Sequence, residues 1–106
     1  MMRETKEHVV VQIATLVGFV PPKMSTGSTE PRELFTQVNE ILGLGLPHSL
    51  GKPEMARGIS EAAGIPWTPD CESRGATVTL EGLRRVRAAT AFFLGAPLPN
   101  DYQHGG

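Results

Sequence analysis

The residue types that could do chemistry are concentrated around Cys71, the only cysteine, which lies between Asp70 and Glu72. A nucleophilic cysteine needs a lowered pKa, which a positive neighbour or a helix N-terminus supplies. The two acids act in the opposite direction, and the three histidines show no signature spacing around the thiol. We therefore expect Cys71 to be a small packed side chain, and we expect the protein not to be an enzyme.

The same two acids could contribute to a metal site together with a histidine. Such a site needs three or four convergent ligands, and the segment PDCES supplies two carboxylates one residue apart. Pro69 before them and Arg74 after them favour a turn, in which Asp70 bonds its own backbone. The sequence therefore predicts no metal site and no cofactor.

A basic cluster follows this segment. Four arginines and one acid lie between Arg74 and Arg87, so the local net charge is +3. Arg84, Arg85 and Arg87 fall in a segment with helical spacing, where exposed arginines can contact phosphates and guanine edges. The leading hypothesis is a nucleic-acid-binding surface formed by Arg74, Arg84, Arg85 and Arg87. The alternative is a solvated helix face paired with neighbouring acids.

Four apolar residues are candidates for a protein interface. Trp67 is held in the rigid segment IPWTP, where it could anchor an interface or close the edge of the core. Val10 and Val11 widen the apolar arc of the first helix, and a helix apolar on most sides is either central or at a subunit interface. Phe92 points away from the core stripe of the last helix. These residues support the second hypothesis, a protein-interaction module or homodimer.

Apolar residues at helical spacing, bounded by proline, threonine and glycine, indicate the elements that position these candidates. Thr79 is the expected N-cap of the last helix, and Gly95 ends it. We predict an all-α fold, a small orthogonal four-helix bundle with a proline-rich connector and at most one short β element near 76–79. The predicted helices are 4–17, 31–43, 53–63 and 80–94. Residues 1–95 form one domain, and 96–106 form a frayed tail.

Composition limits the classes of protein that fit. The chain of 106 residues has the size of one domain, and its formal net charge of −1 produces no overall attraction to nucleic acid. No run of 18 apolar residues is present, so no membrane span is predicted. A single cysteine is compatible with a reducing, cytoplasmic location.

The run KPEMARGISEAAGIPWTPDCESRGATVTLEGLRRV resembles repressor helix-turn-helix domains. Met55-Ala56, the "AAG" ending at Gly64, and Thr79-Leu80 correspond to parts of that pattern. The run is similarly close to helix-extended-helix DNA modules. Pro66 and Pro69 stand where the recognition helix of a repressor would lie, and a helix cannot continue through both. The sequence therefore assigns no family.

Overall fold

The computed structural model describes residues 4–18, 32–73 and 77–95, and this part of the chain is mostly helical. Its four α-helices confirm the predicted ones, with bounds that differ by at most two residues. The predicted tail at 96–106 falls outside the described residues. The helices are α1 (Lys6–Val17), α2 (Arg32–Leu42), α3 (Lys52–Ala62) and α4 (Leu80–Leu94).

The helix ends follow the capping chemistry of the sequence. The Thr5 hydroxyl accepts a hydrogen bond from the His8 N–H, so α1 begins after Thr5 and not at residue 4. Thr79 caps α4 in the same way by accepting from the Gly82 N–H. Gly18 and Gly95 end α1 and α4 with φ of 72° and 68°, left-handed values that glycine adopts without strain.

The β structure differs from the expectation of at most one short element. A 3-10 turn (Pro69–Cys71) leads into β1 (Glu72–Ser73), which pairs antiparallel with β2 (Thr77–Val78). The β2 strand lies in the predicted range, but its partner β1 was missed. Two residues of a proline-rich connector are too few to show the alternation that marks a strand.

One core cluster unites residues from all four helices, and α4 is its central element. Residues 86–91 of α4 are buried on every side of the helix. The core stops at the end of α4, where Phe93 and Leu94 are 38% and 41% exposed although helical spacing places them on the same side as the buried Leu83 and Val86. Ile41 of α2 is also 46% exposed, although helical spacing places it on the same side as the buried Leu34 and Val38. Within the described ranges, no helix has the length and apolar character needed to cross a membrane.

A buried amide stabilises the connection between α2 and α3. Asn39 is 3% exposed, its Nδ2 donates to the Leu46 carbonyl at 3.1 Å, and its Oδ1 accepts from the Leu46 N–H at 2.9 Å. The side chain thereby satisfies both backbone groups of a residue in a coil segment, which otherwise would cost free energy when partly buried.

The start of α4 lies very close to the connector, and a glycine makes this possible. A Cβ at Gly82 would lie 2.5 Å from the Cys71 carbonyl oxygen, 2.7 Å from Val78 Cγ1 and 3.0 Å from the Trp67 ring. The carbonyl belongs to the backbone and accepts from the Thr79 N–H at 2.9 Å, so it cannot move aside cheaply. Gly82 therefore sets the distance between α4 and the hairpin.

We predict that Gly82→Ala destabilises the protein by up to about 2 kcal/mol, because an overpacking cost of about 1–3 kcal/mol is offset by a helix-propensity gain of about 1 kcal/mol. Gly58→Ala is the matched control in α3. Its Cβ would meet the terminal methyl groups of Leu46 at 2.9–3.0 Å, and these can rotate away. Urea unfolding of both variants measures the difference, and a Gly82→Ala protein as stable as wild type would contradict the close approach.

Candidate functional site

Arg87 is buried in the middle of α4, with 1% of its surface exposed. Its Nη1 lies 2.6 Å from Oε2 of Glu4, which precedes α1, and its Nη2 donates to Oε1 of the same carboxylate at 3.3 Å. Nη1 also donates to the Gln12 side-chain oxygen of α1. A charge withdrawn from water must be paired and hydrogen-bonded, and Glu4 before α1 and Gln12 within α1 supply these partners.

The neighbouring arginines make ion pairs within the chain as well. Arg84 donates from Nε to Glu4 Oε1 at 2.7 Å, and its Nη1 lies 3.7 Å from Glu81 Oε1. Arg85 donates from Nε to Glu81 Oε2 at 2.9 Å and from Nη1 to the Pro66 carbonyl. We call the set the arginine cluster; it consists of Glu4, Gln12, Glu81, Arg84, Arg85 and Arg87.

The pKa values in this cluster reflect the pairing. The hydrogen bond from Arg87 holds the pKa of the Glu4 carboxyl below its ordinary value, against the opposing effect of burial, and Arg84 lowers it further. For Arg85, burial is the largest effect and disfavours the charged form, but the hydrogen bond to Glu81 and the nearby negative charges together outweigh it, so the pKa is raised. Both groups therefore stay ionised at neutral pH.

The structure describes three of the four predicted nucleic-acid-binding residues, and they do not share the exposed arc that was expected. Arg87 was expected on that arc, and this expectation is wrong because the side chain points into the α1–α4 contact. The Arg84 and Arg85 side chains are 33% and 19% exposed. Arg74 lies outside the described residues. Glu4 was not predicted from the sequence, because it lies 80 positions before Arg84 and no local pattern connects the two residues.

The connector residues around Cys71 form hydrogen bonds and contacts with one another. Cys71 is fully buried, and its Sγ lies 3.5 Å from the Thr68 hydroxyl. The Thr68 hydroxyl donates to the exposed Asp70 carboxylate and lowers the pKa of that carboxyl. Trp67, a predicted interface residue, packs partly buried against the core, and its Nε1 donates to Glu72 at 2.6 Å. Among the described side chains, no three His, Cys, Asp or Glu groups converge as metal ligands would.

The apolar candidates separate into buried and exposed residues. Val10 was predicted at an interface but is 1% exposed, since it packs into the protein's own core. Val11, beside it on α1, is 47% exposed and borders a shallow depression with Thr5, Glu7 and His8. Phe92 of α4 is 65% exposed.

The last turn of α4 therefore carries three consecutive exposed apolar side chains, Phe92, Phe93 and Leu94. We call it the apolar turn. The two phenylalanine rings meet edge to face, with centroids 5.6 Å apart and planes at 74°. This arrangement is the favourable one for an aromatic pair, so the rings present a defined surface.

We predict that Glu4→Gln destabilises the protein by about 3 kcal/mol, because it leaves the buried Arg87 charge without its carboxylate. Glu7→Gln, the same substitution at an exposed position of α1, should cost less than about 1 kcal/mol. Equal effects of the two substitutions in denaturant unfolding would contradict the role assigned to Glu4.

The lowered pKa of Glu4 also predicts a pH dependence. A carboxyl whose pKa is lower in the folded state contributes its full stabilisation above the unfolded value, near 4.5, and loses it as the pH falls through the folded value. The unfolding free energies of wild type and Glu4→Gln should therefore converge below this pH. A constant difference from neutral to acidic pH would show that Glu4 does not act through its charge.

The comparisons with known proteins add no relationship to this geometry. No protein-family model matches the chain, and no match was found among curated proteins or solved structures. The functional conclusion must therefore be drawn from the residues and contacts of this chain itself.

Proposed function

We propose that this chain is a small non-enzymatic domain that binds another protein through the apolar turn of α4. The observation that carries the proposal is the abrupt change in side-chain exposure along α4. Residues 86–91 are buried, and the next three residues are large, apolar and exposed at 65%, 38% and 41%. Single exposed apolar residues need no explanation, but contiguous ones are typical of interaction sites.

The chemistry of the apolar turn supports binding. Phe92 and Phe93 offer large apolar area and have few rotatable bonds, so ordering them on binding costs little entropy. They stand at the end of a helix whose preceding turns are locked in the core, which gives the turn a rigid base. Aromatic residues are enriched at the centres of protein interfaces.

The burial and hydrogen bonding of the connector side chains support the proposal that the domain is not an enzyme. The thiol of Cys71 is buried, and its acidic neighbour Glu72 accepts a hydrogen bond from the Trp67 ring. The orthogonal arrangement of the helices and a cytoplasmic location stay predictions.

Nucleic-acid binding, the leading hypothesis from the sequence, also stays a prediction. The arginine cluster weakens it, because Arg84, Arg85 and Arg87 use their guanidinium groups on carboxylates of the same chain. A phosphate would have to compete with these pairs. For this reason we propose protein binding through the apolar turn in preference to nucleic-acid binding through the arginines.

A photo-crosslinking amino acid tests the proposal in cells that contain the protein naturally. We predict that Phe92→p-benzoylphenylalanine yields a defined adduct with another protein. The same substitution at Glu33, an exposed residue at the start of α2, should yield none. Adding Leu94→Ser to the Phe92 variant should reduce the adduct severalfold without changing the melting temperature, since exposed substitutions change stability by less than about 0.5 kcal/mol.

Other outcomes of this experiment identify the alternatives. An adduct with the mass of two chains would favour a homodimer. An adduct shortened by nuclease would favour nucleic acid. Equal adducts from positions 92 and 33, or none from position 92, would overturn the proposal.

A further inference from the structure

We draw no further inference here: the strongest candidate, the apolar turn formed by Phe92, Phe93 and Leu94 at the end of α4, belongs to the binding surface already proposed, and nothing in the structure shows what covers it.

Discussion

The buried charge of Arg87 is the constraint on which the rest of the structure depends. Residues 86–91 of α4 are buried on every side of the helix, so the Arg87 guanidinium cannot reach water. A buried guanidinium is tolerated when carboxylate and amide oxygens surround it. Glu4 and Gln12 provide those oxygens, and the position of α1 on α4 is thereby coupled to the ionic state of Glu4.

The same pairing accounts for most of the basic residues that precede and begin α4 in the described part of the chain. The arginines that make the segment before and within α4 look basic are largely occupied by Glu4 and Glu81, whereas acids elsewhere stay exposed. A positive segment in the sequence has thus become part of an internal network.

The close approach of the connector depends on a second local constraint, the missing side chain at Gly82. Because α4 and the hairpin nearly touch there, Thr79 can bridge them by donating to the Asp70 carbonyl at 2.6 Å while it caps the helix. The Cys71 carbonyl oxygen lies at this contact, and its side chain is fully buried. The features that first suggested chemistry in this segment are therefore explained by its packing.

Local patterns predicted the parts of the structure that depend on residues close together in the chain. The four helices, the Thr79 cap and the glycine at the end of α4 follow from spacing, capping chemistry and backbone conformation, which act within a turn or two. The exposure of Phe92 was also foreseen, because the helical period places it off the buried stripe.

Tertiary structure alone decided which of the other candidates reach the surface. Val10 and Phe93 have the same apolar character in the sequence, yet one is buried and the other exposed, since burial depends on which elements pack nearby. The partners of Arg87 lie 75 and 83 positions away, and no periodicity reaches that far. The sequence by itself determined the helices and their ends, whereas the fold decided the ionic pairing and the exposed surface, because both depend on contacts between residues distant in the chain.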